Sequence, residues 1–430
     1  MRYASLMAGC AIGLIAGSAQ AQDWPQWRGP NRDAKVAGFK APSTWPKELT
    51  QKWKVTVGDG VATPALVGDK LYVFSRQNGN EVVRCLNASD GKVAWEDKYE
   101  AKPATGPAGS FPGPRCSPTV AEGKLVTLGV TGTLTCYEAE SGKQLWRKTE
   151  NKPLPRFFTS SSPIVVNGLC IAQLGGEQEG GIVAFDLAGG EEKWKWSEDG
   201  TAYASPVLLT IGDSKLLVAE TANNIVAINV ADGKLLWKTD YVVKGRGYNA
   251  STPMVDGQTI IYSDSNRGTK AVKVAKEGDG IAAKELWNNP DNSVQFNTPV
   301  LHDGLVFGIT ARNELFCINA EDGKTAWTSA LPRAGGGAPR PGGAAGGGRP
   351  GSGRGGMMMG GGYGSIVDAG SVLFALTPAA QLIVFEPNAK EFKQIASYKV
   401  GESGTYAYPI IAGNRIFVKD KDSVILWSIE

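Results

Sequence analysis

The sequence reads as an all-β chain, an eight-bladed β-propeller of four-stranded antiparallel blades. Three observations predict this: a recurring glycine-turn-tryptophan repeat, a proline start ahead of each copy, and two incomplete ends that complement each other.

The repeat is plainest in Cys85-Leu-Asn-Ala-Ser-Asp-Gly91-Lys-Val-Ala-Trp95 and in Cys136-Tyr-Glu-Ala-Glu-Ser-Gly142-Lys-Gln-Leu-Trp146. It returns over Ala184 to Trp194, Ala227 to Trp237 and Cys317 to Trp327, with looser copies at Ala271 to Trp287 and Val384 to Ile395. A spacing of roughly forty to fifty residues is the period of propeller blades. Each copy is a small sheet that cannot bury both faces alone, so the copies must stack. Asp-Gly between two apolar strands predicts a tight hairpin with both central residues at positive φ.

Ahead of each copy stands a small or hydroxyl residue followed by proline: Thr63-Pro64, Ser117-Pro118, Ser162-Pro163, Ser205-Pro206, Thr252-Pro253, Thr298-Pro299 and Tyr408-Pro409, with Ser365-Ile366 as a degenerate eighth. Proline lacks a backbone donor and suits the start of a strand. The final unit, from Pro409 to Glu430, has three strands, and residues 51–57 supply an isolated tryptophan strand. Strand 51–57 is therefore expected to pair with the C-terminal blade and close the ring, leaving only short, protected edges. Trp53, Trp95, Trp146, Trp194, Trp237, Trp287 and Trp327 share one register and are expected to fill the wedges between blades.

At 430 residues the chain could hold several domains, but a continuous repeat array over 51–430 predicts one. Met1 to Ala21 reads as a signal peptide, with Arg2, the apolar stretch Leu6 to Ala16 and a cleavage site at Ala19-Gln-Ala21. That implies export to the periplasm or cell surface, with no transmembrane segment after cleavage. The apolar stretch before Cys10 is too short for a lipid-anchored leader. Residues 22–50, rich in tryptophan and proline, are expected to form an extended strap over one face. Residues 331–364 hold sixteen glycines, four arginines and no acidic residue, the composition of a disordered insertion between blades six and seven.

The net charge of +3 gives no reason to expect nucleic acid. Cys85, Cys136 and Cys317 share a register with Ala184 and Ala227 and read, with Cys116 and Cys170, as buried apolar residues rather than a disulfide framework. The lone histidine, His302, precedes Asp303-Gly304 and reads as an exposed turn residue, which leaves no multi-histidine metal site and no haem attachment. No catalytic, cofactor or metal constellation is expected.

The connections from each tryptophan strand to the next proline emerge together around the channel. They carry Arg115, Arg156, Phe157, Phe158, Tyr203, Arg246, Tyr248, Asn249, Phe296, Tyr363 and Tyr406. Aromatic and arginine side chains converging on a funnel suit recognition, because they bury area at low entropy cost and offer donors. The insertion 331–364 belongs to this set and is expected to hang over the funnel.

Repeats such as Ala227-Ile-Asn-Val-Ala-Asp-Gly-Lys-Leu-Leu-Trp237 resemble the pyrroloquinoline quinone (PQQ) repeat, and Trp24-Pro-Gln-Trp-Arg-Gly-Pro30 resembles the opening of exported planctomycete-type PQQ-like propellers. The resemblance covers about 60–430. One branch, the outer-membrane assembly factor BamB, implies an envelope scaffold without cofactor, acting as a monomer on a protein or polymer partner. The other, the quinoprotein alcohol dehydrogenases, implies PQQ, calcium, adjacent cysteines, a Glu/Asn calcium pair and an aspartate base. No cysteines adjoin here, and Asn249 and Asp291 lie in comparable connections without matching surroundings. The scaffold is thus the expected function, with a quinoprotein oxidoreductase or a glycan-binding propeller as alternatives.

Overall fold

The computed structural model describes residues 23–149, 153–243, 247–331 and 362–430. The stretch read as a signal peptide, Cys10, Arg246 and residues 332–361 of the glycine-rich segment lie outside the described residues.

Eight four-stranded antiparallel sheets follow one another along the chain and form a closed propeller. Blade 1 is typical: inner strand Ala65–Val67, then Lys70–Gln77, Asn80–Asn87 and outer strand Val93–Glu100. Blade 8 joins Ile410–Ala412, Arg415–Lys419 and Ser423–Ser428 to the N-terminal strand Thr50–Thr56. Trp53 pairs with Leu426 and Val55 with Val424, so the beginning and end of the chain share one sheet, as expected.

Neighbouring blades meet through one repeated contact. The outer-strand tryptophan lies against the hairpin glycine of the next blade and donates its indole N–H to a carbonyl in that hairpin. The bonds run Trp53 to Ala88 (3.2 Å), Trp95 to Ala139 (3.1 Å), Trp146 to Leu187 (3.0 Å), Trp194 to Val230 (2.9 Å) and Trp287 to Ala320 (2.7 Å). The hairpin differs from the expected two-residue turn. Gly91 takes φ +71° while Asp90 does not enter the positive region, and the register shifts between Cys85 and Leu86. The Asp-Gly pair thus ends a longer loop whose bulge places the glycine under the indole. Blade 5 departs from the rule. Its outer hairpin is the long pair Thr269–Glu277 and Gly280–Asn289, and Trp237 packs against the cluster containing Val272 and Val274.

The hydroxyl residues before the prolines form a second girdle. The N–H of Ser117 donates to Ser162 Oγ (2.9 Å), that of Ser162 to Ser205 Oγ (2.9 Å), that of Thr252 to Thr298 Oγ1 (3.0 Å) and that of Tyr408 to Thr63 Oγ1 (2.9 Å). Each hydroxyl satisfies the last donor of the neighbouring blade before proline removes the next one.

The N-terminal segment is not an extended strap. Residues 26–33 run through consecutive turns, with Arg28, Gly29, Arg32 and Ala34 all at positive φ. The segment enters beside the blade 1 turn, where Gly68 N–H donates to Asp23 and Trp24 pairs with Leu66 in both directions. It leaves at blade 7, where Val36 N–H donates to Asp368 O at 2.7 Å. Between these points it plugs the channel. Arg32, 2% exposed, donates to the carbonyls of Ser162, Pro163 and Pro206, and Arg28, fully buried, donates to Pro299 O at 2.6 Å. Neither has a carboxylate partner in this network, and desolvation lowers both, Arg32 to about 9. Carbonyl dipoles lining the channel stand in for counter-charges. Sequence periodicity reported the blades but carried no sign of a plug, because its partners come from all eight blades, Val120 of blade 2, Thr252 of blade 5 and Tyr408 of blade 8 among them.

Candidate binding site at the channel mouth

The connections from outer to inner strands bring seven rings into one continuous array. Phe111 meets Tyr406 (4.9 Å between centroids) and Tyr363 (5.8 Å), and Tyr363 stacks on Phe296 at 4.6 Å. Phe296 stacks on Tyr248 (5.8 Å), and Tyr248 meets Phe157 (4.8 Å) and Tyr203 (6.3 Å). All seven are half-buried, so each packs on its neighbours and still presents surface to solvent.

Polar groups beneath the rings fix them. Arg115 donates to the carbonyls of Phe157, Phe111 (2.9 Å) and Ala108 (3.2 Å), tying two connections together, and burial lowers its pKa. Tyr203 donates its hydroxyl to Glu177 and accepts from Phe157 N–H at 3.2 Å. Burial raises the Tyr203 phenol far out of the neutral range and pushes Tyr363 up to about 12, so both rings stay neutral donors. Gly362, at φ +79°, approaches Gln295 so closely that a Cβ would lie 2.6 Å from its side-chain oxygen. Its carbonyl accepts from Phe296 N–H (3.0 Å) and Asn297 Nδ2 (3.1 Å). Leu331, at the other end of the glycine-rich segment, donates its N–H to Asn313 O.

The remaining expected residues serve other places. Asn249 is buried and donates Nδ2 to Thr221 O (2.7 Å) and Tyr241 O (3.2 Å), so it holds the contact between blades 4 and 5 rather than offering a surface. Phe158, at φ +65°, packs on Ala104, Ala108 and Val130 beside the array. Arg156 is exposed, with its guanidinium 5.3 Å from the Phe157 ring centroid.

Two polar centres escaped sequence reasoning. Below Tyr248, Glu220 and Asp264 are both fully buried. Asp264 accepts from the N–H groups of Ala250 (3.2 Å) and Ser251 (3.3 Å) and faces Arg267 at 3.5 Å. Desolvation lifts Glu220 well above the usual carboxylate range and the adjacent Asp264 lifts it further. Burial raises Asp264 as well, to about 7, against the opposing pull of Glu220, Arg267 and the two backbone donors, so Glu220 is the member of the pair that keeps its proton to the higher pH. Arg267 then donates to Tyr241 O (2.9 Å) and Tyr248 O (3.2 Å) and stacks 3.8 Å over the Tyr241 ring, so this buried network positions the rim. The only signal was a carboxylate ending the apolar run Leu216 to Ala219.

The second centre is on the opposite face. His302 is not an exposed turn residue: it ends the inner strand Val300–His302, its side chain is 14% exposed, and Nδ1 sits 3.0 Å from the buried Asp368 carboxylate. Asp368 lies sixty-six residues away, at the end of the degenerate blade 7 strand. A local reading of the turn had no access to that partner.

The fold and its ring of repeats define a PQQ-repeat propeller. The family model described as outer membrane protein assembly factor BamB matches residues 33–195 and 79–329, and the chain belongs to that family. Outer membrane protein assembly factor BamB of Burkholderia pseudomallei (strain K96243) is 27% identical over 257 residues, covering 57% of this chain and 60% of that protein. The chain thus matches less than two thirds of that relative's length. Among solved structures, BamB from Moraxella catarrhalis superimposes with a TM-score of 0.60 at 13% identity over 88% of this chain and 99% of that one. Quinohemoprotein alcohol dehydrogenase from Comamonas testosteroni gives 0.63 at 14% identity over 96% and 81%. At such identities the superpositions speak for the fold alone.

Proposed function

We propose that this chain is a non-catalytic scaffold of the cell envelope that holds a protein or polymer partner on its aromatic rim; its likeness to outer membrane protein assembly factors supports the envelope setting. The observation that carries the proposal is the seven-ring array, fixed from below yet half-exposed above. Preordered rings lose little entropy on contact and give up apolar area readily. Export through the 1–21 leader belongs to the same proposal. Among the described residues, no helix is long and apolar enough to cross a membrane.

The second reading is a quinoprotein oxidoreductase, favoured by the likeness to a quinohemoprotein alcohol dehydrogenase. The residues at the mouth do not fit a quinone. A flat cofactor needs a slot, whereas Phe296 stacks directly on both Tyr248 and Tyr363. Asn249 is buried within the contact between blades 4 and 5, and Asp291 is exposed.

Photo-crosslinking tests the proposal. A benzophenone side chain at Tyr248 or Tyr406 is expected to trap envelope protein in cells, and one at the exposed Lys273 is not. Equal adducts from all three positions, or none, would refute the scaffold. A quinone absorbance with alcohol-dependent dye reduction after adding PQQ and calcium would replace it with the second reading. Glycan binding that disappears in Tyr203→Ala and Tyr248→Ala would make the polymer a glycan.

A further inference from the structure

The connection that carries Tyr248 is held from inside the wall. The N–H groups of Ala250 and Ser251 donate to Asp264 Oδ1 at 3.2 and 3.3 Å, and Arg267 donates to the carbonyls of Tyr241 and Tyr248. Asn249 O in turn accepts the N–H groups of Tyr203 (2.9 Å) and Ala204 (3.1 Å) from the neighbouring connection. Two of the seven rings, Tyr248 and Tyr203, therefore depend on one turn of blade 5, between the strands Thr259–Ser263 and Thr269–Glu277.

The charge on that turn is balanced by a proton. Among the described residues, no N–H group donates to either oxygen of Glu220. Glu220 and Asp264 are adjacent and fully buried, so they hydrogen-bond only through a proton held between them. With that one proton, and with Arg267 at 3.5 Å from Asp264, the group is neutral. The other titratable groups facing it are Tyr241 and Tyr262. Burial lifts Tyr241 far above its ordinary range and Tyr262 up to about 12, with Glu285 acting on Tyr262 as well. Asp199, across the turn that follows Glu220, is already satisfied by Thr221, Asn223 and Asn224. Lys244 and Arg246 of the Tyr248 connection lie outside the described residues.

We infer that Glu220, Asp264 and Arg267 form a proton-operated latch on the rim: one shared proton holds Tyr248 and Tyr203 in the array, and its loss releases them. The acid side is tolerated. With both carboxyls protonated, Arg267 keeps two carbonyls and the Tyr241 ring, a shell of the kind that holds Arg28 and Arg32 in the channel. The alkaline side is not. Two buried carboxylates then face one guanidinium, and Glu220 has no donor to replace its lost hydration. Water entering between the turn and the connection relieves this, and it breaks the Ala250, Ser251 and Tyr248 bonds together. The latch rests on the proposed rim function only for its consequence, release of a bound partner as pH rises; the opening itself needs no partner.

Amide hydrogen exchange on the full chain tests the latch, each rate being divided by that of an unfolded amide at the same pH. Between about pH 7.5 and about pH 9.5, protection at Tyr203, Ala204, Ala250 and Ser251 is expected to fall about tenfold. Ser117, whose N–H donates to Ser162 Oγ between blades 2 and 3, is expected to keep its protection. That contrast lies within the natural chain and needs no variant. Glu220→Gln keeps a donor for Asp264 and cannot ionise, so its four amides are expected to stay protected across the range, with Ser117 reporting that the variant is folded. Flat protection in the natural chain, a fall shared by Ser117, or the same fall in Glu220→Gln would each overturn the latch. Crosslinking from Tyr406 at a fixed neutral pH tests the rim by itself, so a rim without a partner is told apart from a latch that does not open.

Discussion

Trp95 on blade 1 and Gly142 on blade 2 are in direct contact: a Cβ built on Gly142 would lie 2.5 Å from the indole ring. The same relation recurs for Trp146 over Gly190, Trp194 over Gly233 and Trp287 over Gly323. The glycine is thus required twice, once by its positive φ and once by the ring packed on its α-carbon.

These two requirements can be separated by mutation. Gly123, in the same blade, also takes a positive φ, +72°, but has open space around it. Gly123→Ala is expected to cost about 1–2 kcal/mol, the penalty of a left-handed alanine. Gly142→Ala adds overpacking and is expected to cost roughly 2–4 kcal/mol. Denaturant midpoints of the two variants measure the difference, and equal midpoints would show that the indole yields freely.

The buried carboxyl pair makes stability depend on pH. Glu220 titrates above its ordinary 4.5 because of burial and then of Asp264. A raised carboxyl favours folding while protonated, so its contribution is present at low pH and is lost as pH climbs from 4.5 toward the folded value. Glu220→Gln keeps a donor for Asp264 and removes the acid. The variant is expected to gain in melting temperature over the natural chain near pH 8 and not near pH 4, by differential scanning calorimetry.

His302 works in the opposite sense. The Asp368 carboxylate raises it above 6.5, so the pair stabilises the fold fully below 6.5 and the contribution fades as pH rises through the folded value. The loss of melting temperature in His302→Gln is therefore expected to be larger at about pH 5.5 than at about pH 9. A constant loss across that range would mean that the ring acts through packing alone.

Arg32 ties the plug to the channel through the Ser162, Pro163 and Pro206 carbonyls. Arg32→Met strands these acceptors in a buried site and is expected to cost roughly 3–5 kcal/mol. Trypsin is expected to cut the variant faster at Lys40 and Lys47, with N-terminal sequencing identifying the sites. Unaltered cleavage would show that the remaining anchors, Trp24, Arg28 and the Val36–Asp368 bond among them, retain the segment without Arg32.

Much of this architecture is local information. Glycine turns, proline starts and apolar alternation repeat within each blade, so hairpins and their number follow from short-range geometry. Trp53 announced ring closure because a lone fourth strand at one end answers a three-stranded unit at the other. The rim was legible only as a set of connections: Tyr203, Tyr248, Phe296, Tyr363 and Tyr406 fall at one repeat position, while Phe111 lies earlier in its connection and was overlooked.

By itself, then, the sequence determined the blade, the number of blades, the closing strand and which connections share a face, since each is written in neighbouring residues or in a strict period. The tertiary structure alone decided the plug, the Glu220–Asp264–Arg267 network and the His302–Asp368 pair. Their partners come from different blades, and a buried charge is tolerated only where the assembled ring brings it carbonyls, a proton or an opposite charge.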